Sequence, residues 1–213
     1  MKTFLITRPR HDSGLHYLHA WSEKVIAEAE TRGWKVSKAD DEKANKKGVR
    51  SRLLAQKHDL VMFNGHGNDE EIAGHNNETL VDVKSSGLLK DAIVFARACN
   101  CLNGLGKAAV RNGSKAFIGY KDKFTLWWVN EDISKPMQDP AAEIALSASN
   151  QVPIGIIKGN TVKEAVESSK KIAETKMIGL LQSKEPYSSA ALRSLISHYF
   201  SIGFEGNPDS RVG

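Results

Sequence analysis

Cysteine is scarce in this chain of 213 residues, which has only Cys99 and Cys101. Two thiols one residue apart cannot bridge distant segments, and neighbours that close do not readily meet disulfide geometry. The pair excludes a disulfide-stapled scaffold and points to a reducing compartment. Long apolar runs are also missing. Nothing approaches the roughly 20 apolar residues of a membrane helix, and the run after Met1 is too short for a secretory signal. A cytoplasmic protein with no membrane partner is therefore expected. Lysine and arginine total 30 against 25 acidic residues, a net charge of +5. These charges are scattered, with no dense basic block and no nucleic-acid motif, so a nucleic-acid partner is not expected. Repeats, low-complexity stretches and inter-domain linkers are absent as well.

What remains is an ordinary globular composition, 40% hydrophobic and 26% charged, at a length that suits one α/β domain. Short apolar runs alternate with helical patterns. Thr3–Thr7, Trp34–Ala39, Asp59–Asn64, Ala92–Ala98 and Ala116–Tyr120 read as strands. Leu15–Thr31, Gly48–Lys57 and Lys107–Arg111 read as helices between them. Gly67–Val83, polar and spaced by Gly and Asn, suggests a hairpin, and 84–90 a short crossover. Alternation of this kind implies βαβ units and a mainly parallel sheet covered on both faces, a three-layer α/β/α sandwich. Beyond Tyr120, the aromatic stretch Phe124–Val129 fits either helix or strand. Helices are expected at Pro140–Asn150, at Ser188–Ile202 and at Thr161–Leu181, where Thr161 and Glu164 form a capping box. The expected layout is a single domain with its core in 1–125, a helical completion in 126–204 and a polar tail in 205–213.

Two strands end in chemistry. Cys99 follows the apolar run Ala92–Ala98 and precedes a Gly-containing turn into a helix, a setting that can expose a thiol and favour its thiolate. His66 ends the preceding strand in the same way, in Asn64-Gly-His-Gly67. Parallel strands carry their C-terminal ends to one edge, where open α/β folds place their sites. The 32 residues between His66 and Cys99 allow the crossover that parallel pairing needs.

The ordered pair, a hydrophobic block with His66-Gly67 and then one with Ala98-Cys99, resembles the caspase–hemoglobinase fold of cysteine peptidases. That clan holds caspases, legumains, gingipains, separases and bacterial CHAT-type proteases. Asn103-Gly-Leu-Gly106 and Gly113–Tyr120 are most similar to its CHAT and gingipain side. The resemblance covers roughly residues 55–125 and reaches the flanks only through the order of elements. It implies a cysteine endopeptidase without a cofactor, acting on a protein or peptide substrate and open to control by a partner protein. It assigns Cys99 as nucleophile and His66 as acid/base partner. The backbone N–H groups of Gly67 and Cys99 would be the oxyanion donors. Arg97, two residues before the nucleophile, would line the substrate pocket and favour an acidic side chain through a bidentate contact. Alternatively Arg97 makes an internal ion pair with Asp69, Asp82 or Asp122, or Asp122 supplies an acidic pocket for basic substrates.

Competing readings attach to the same residues. The fold could serve as a catalytically silent interaction module. Cys99 and Cys101 could act as a redox or metal-binding pair, although a zinc site wants four ligands and no second cysteine pair exists. Gly104-x-Gly106-Lys107 lacks the spacing of a phosphate loop. Asn64 is a candidate for orienting the His66 loop. His75 reads as a turn residue, and His11, His16, His19, His58 and His198 as surface or helix-face residues.

Overall fold

The computed structural model describes residues 1–213. The chain opens with β1 (Thr3–Arg8), α1 (Ser13–Trp21), α2 (Glu23–Thr31), β2 (Lys35–Asp40), α3 (Lys46–Ala55) and β3 (Leu60–Asn64). A small antiparallel sheet follows, β4 (His66–Gly67), β5 (Glu71–Ala73) and β6 (Thr79–Asp82). Then come β7 (Ile93–Arg97), α4 (Lys107–Arg111), β8 (Ala116–Tyr120), α5 (Pro140–Ile157), α6 (Val162–Leu181), α7 (Ser188–Ser201) and β9 (Ile202–Gly206).

The main sheet has the order β2-β1-β3-β7-β8-β9 and is parallel except for β9. Strands covered on both faces need apolar residues at every position, which explains the uninterrupted runs in β3, β7 and β8. Along each strand the side chains alternate between two cores. Phe4, Ile6, Met62, Phe95 and Ile118 meet α2, α5 and α6 on one face. Leu5, Val61, Phe63, Val94 and Phe117 meet Val49 of α3, Ala109 of α4 and the small sheet on the other. The result is the expected three-layer sandwich. From β1 the chain first adds β2 on one side and then β3 on the other, so a topological switch point lies between β1 and β3. Open sheets form their binding crevice at such a point, beyond the carboxyl ends of the strands.

Four local expectations are revised. The helix expected over Leu15–Thr31 is two helices meeting at buried Ser22, whose hydroxyl donates to the His19 carbonyl at 2.7 Å and competes with helical bonding. Phe124–Val129 forms neither helix nor strand. It is a strap held from outside, because the amides of Thr125 and Trp127 donate to Ser197 and Ser194 of α7. Buried Asp139 caps α5 with one oxygen and takes the Val129 and Asn130 amides with the other. Residues 205–213 are not a loose tail. Ile202–Gly206 pairs antiparallel with β8, and the Ser210 and Pro208 carbonyls accept the first amides of α6. Lastly, His58 and His198 are buried. His198 bridges the Tyr120 hydroxyl (2.9 Å) and Ser169 Oγ (2.8 Å), and burial pushes its pKa down to about 3, keeping it neutral. The capping box on α6 forms as read, with both reciprocal bonds present. No helix of the chain is long and apolar enough to cross a membrane.

Candidate active site

Three adjacent strands, β1, β3 and β7, deliver the chemistry to one rim. Asn64 pairs with Arg97 in the β3–β7 register, so His66 and Cys99, each two residues further on, leave the sheet side by side. Both line an open cleft of about 110 Å³. The two loops touch at Gly67. An ideal Cβ there would stand 2.8 Å from both the Ala98 Cβ and the Cys99 carbonyl oxygen, closer than real side chains come. Glycine at this position is what lets the loops meet.

The polarity of Gly67 follows from register. The Asn68 amide bonds to the Glu71 carbonyl, which makes 68/71 and 66/73 the hydrogen-bonded pairs of the β4–β5 ladder. Gly67, in the non-hydrogen-bonded pair between them, therefore turns its N–H away from β5. The Cys99 N–H also has no partner in the protein. Two free amide donors thus occur on two backbone segments in contact with each other.

Cys99 is partly exposed, and its thiol lies 3.7 Å from the Phe124 carbonyl, a weak S–H donation. Asn100 then takes a left-handed φ of 56° and gives its N–H to the Asp122 carbonyl at 3.1 Å. Asn tolerates that conformation better than most residues, and it turns the chain sharply into the π-helical turn Leu102–Gly106. Cys101 enters that turn fully buried, its thiol donating to the Ala98 carbonyl at 3.3 Å. Burial pushes this thiol up to about 12, so it stays protonated and out of reach. A chelating or redox pair with Cys99 is not what this geometry provides.

His66 is half exposed, and its Nε2 lies 2.6 Å from Asp12 Oδ2. Asp12 is the N-cap of α1, with Oδ1 accepting from the Leu15 amide at 2.8 Å. Partial burial opposes its ionisation, but the Leu15 amide and His66 outweigh that and hold its carboxyl below the usual value. The cap signal, an Asp ahead of the first apolar residue of a helix, was present in the sequence. The pairing with His66 was not, since it depends on β1 and β3 being neighbours.

His11 adjoins this pair. Its ligand atoms and those of Asp12 and His66 lie within 4.8 Å of one another, a grouping able to approach a metal ion. However, the Asn76 amide donates to His11 Nδ1 at 3.2 Å, which leaves the proton on Nε2, the nitrogen facing Asp12. That tautomer presents an N–H to the cluster instead of a lone pair and opposes metal ligation.

The substrate-pocket expectation for Arg97 is corrected. Its side chain is fully buried on the α5 side of the sheet and reaches no cleft. It also makes no ion pair with Asp69, Asp82 or Asp122. Its hydrogen bonds go to neutral groups: Asn150 Oδ1 at 2.5 Å, Ser149 Oγ at 3.0 Å and Asn64 Oδ1 at 3.4 Å. Burial draws its pKa down to about 10, still above neutrality. Asn64 in turn bonds the Thr7 carbonyl and hydroxyl, so the two residues tie the ends of β1, β3 and β7 to α5. Arg97→Ala is expected to strand the Asn150 and Asn64 carboxamide oxygens, while Ser149 keeps the Tyr120 hydroxyl, and to lower stability by about 2–6 kcal/mol, each orphan costing about 1–3 kcal/mol. A shifted urea midpoint would register this, and an unchanged one would mean that the network contributes nothing. Asp122 is likewise removed from the pocket, its exposed carboxylate accepting from the Lys123 amide. Its backbone carbonyl, through Asn100, is what touches the cysteine loop.

No family model matches the chain, and no curated protein matches it by sequence. Solved structures do. The complex of Porphyromonas gingivalis RgpB pro- and mature domains matches with a TM-score of 0.59 and 13% identity, over 99% of this chain and 48% of that one. The structure of the Arg-specific cysteine proteinase gingipain R (RgpB) matches with a TM-score of 0.56 and 15% identity, over 99% and 47%. The chain thus shares the fold of these gingipain structures, the caspase–hemoglobinase fold that the His-Gly and Ala-Cys blocks implied. At these identities the likeness is one of fold, and the chain spans about half the length of the gingipain structures it matches.

Proposed function

We propose that the chain is a cysteine endopeptidase that cleaves a peptide bond through a covalent acyl-enzyme on Cys99. The observation that carries this reading is the meeting of His66 and Cys99 in one cleft, with Asp12 engaging Nε2 of the imidazole. With the Nε2 proton directed to the Asp12 carboxylate, Nδ1 is the nitrogen with a free lone pair. In the reaction, Nδ1 takes the thiol proton and Sγ attacks the scissile carbonyl carbon. The developing oxyanion is met by the N–H groups of Gly67 and Cys99, donors of a kind worth about 2.7–4 kcal/mol each in transition-state binding. Nδ1–H then protonates the leaving amine as the C–N bond breaks, leaving a thioester. A water deprotonated by the same nitrogen attacks the thioester, releases the new carboxylate and restores the thiol.

The thiol and imidazole do not bond each other in the resting structure, where the sulfur faces the Phe124 carbonyl. Such contacts often tighten only once substrate is bound. The partner this reading requires is a protein or peptide substrate. The strap beside the cleft supports peptide docking, because the Phe124, Leu126 and Trp128 amides have no partner while those of Thr125 and Trp127 are held by α7. An unpaired extended edge of that kind accepts a peptide backbone.

Digestion of a peptide library, read by mass spectrometry, tests the proposal. New termini should appear with the unaltered protein and vanish with His66→Ala. A His66→Ala protein that still produced the same termini would refute the assignment.

A further inference from the structure

The cleft also bears on what Cys99 would accept, an inference that rests on the cysteine-peptidase reading. From Cys99 the cavity runs between α1 and the strap. Its wall is Leu15 and Leu18 on one side and Phe124, Leu126 and Trp128 on the other. Apart from His66, no titratable side chain lines it other than the thiol itself.

The charges that might have supplied selectivity are all committed elsewhere. Arg97 is sealed among Ser149, Asn150 and Asn64. Asp122 points its carboxylate to a different surface, shared with Lys121, Ile196 and Phe200. Asp12, the carboxylate nearest the cleft, has one oxygen on the Leu15 amide and the other on His66. A charged substrate side chain entering here would shed water and find no partner, which is costly. An aliphatic one would gain by burial, at about 25 cal/mol per Å² of apolar surface.

Size narrows the choice further. An apolar cavity of about 150 Å³ holds a benzene ring, and this cleft, at about 110 Å³, is smaller. The wall is also fixed in place. Trp128 stacks on Tyr17 at 5.2 Å between ring centroids, and Asp139 anchors the strap just beyond it.

We infer that this chain selects an aliphatic side chain, of the size of Val, Leu or Met, on the residue whose carbonyl Cys99 attacks, with Leu18, Leu126 and Trp128 as its specificity-determining contacts.

The test uses peptide acyloxymethyl ketones that differ only in the residue bearing the ketone, with adducts at Cys99 quantified by mass spectrometry on the full chain. Leu and Met reagents should label Cys99 at least roughly tenfold faster than Asp or Arg reagents, the lower end of what an apolar pocket discriminates. Leu126→Glu, on the partly exposed strap, should raise the Arg reagent relative to the Leu reagent. Equal or faster labelling of the unaltered protein by Asp or Arg reagents would overturn the aliphatic preference and leave the nucleophile assignment intact. No adduct at Cys99 with any reagent would overturn the peptidase reading and this inference with it.

Discussion

Cys99→Ala should abolish peptide cleavage, lowering kcat/KM by a factor on the order of 10⁴ or more, the scale on which removal of a covalent nucleophile acts. The fold should survive, because Cys99 lies beyond the end of β7, partly exposed and bonded only weakly to the Phe124 carbonyl. Cys101→Ala is the informative companion. That thiol is sealed beneath β8, where a Cβ on Gly119 would come within 3.1 Å of it, and burial holds it protonated. Its loss leaves a small cavity worth about 1 kcal/mol and should spare turnover. A fluorogenic peptide assay run beside thermal melts separates the two variants. If Cys101→Ala were inactive and Cys99→Ala active, the roles assigned from the Ala-Cys block would be reversed.

The distance between those two cysteines shows what a sequence can and cannot reveal. A strand buried on both faces must be apolar throughout, so Asp59–Asn64 and Ala92–Ala98 were legible, and with them the rim on which His66 and Cys99 stand. The fate of Arg97 was not. Its position two residues before Cys99 suggested the substrate pocket, whereas the side chain turns to α5, which lies some fifty residues further on. Nothing local indicates that Ser149 and Asn150 will meet the guanidinium there. The strand β9 was missed for a related reason. Ile202–Gly206 is short and holds two glycines, so it has no periodic signal of its own and is held by pairing with β8. Asp12 is the intermediate case. Its capping role is local and readable, whereas its bond to His66 arises from the order β1-β3-β7 across the switch point.

That double duty of Asp12 sets up the second large effect. Asp12→Asn keeps a side chain that caps a helix as well as Asp does, so α1 should remain folded and the melting temperature should change little. What disappears is the carboxylate on Nε2. Without it the imidazole is no longer held in the orientation and tautomer that leave Nδ1 free, and the imidazolium formed during proton transfer loses its counter-charge. Comparable replacement of a buried aspartate behind a catalytic histidine costs about 10⁴ in turnover. Because Asp12 is partly exposed, screening by water reduces the penalty, and a fall in kcat of roughly 10²–10³ is expected. KM should stay near its original value, since Asp12 does not line the cleft. That split matters, because a purely structural lesion at α1 would move Leu15 and Leu18 and raise KM. Asp12→Ala, which removes the cap together with the carboxylate, should show both changes and also lose about 1 kcal/mol of stability. An Asp12→Asn protein with undiminished kcat would mean that His66 needs no orienting group, and the carboxylate would then be a helix cap alone.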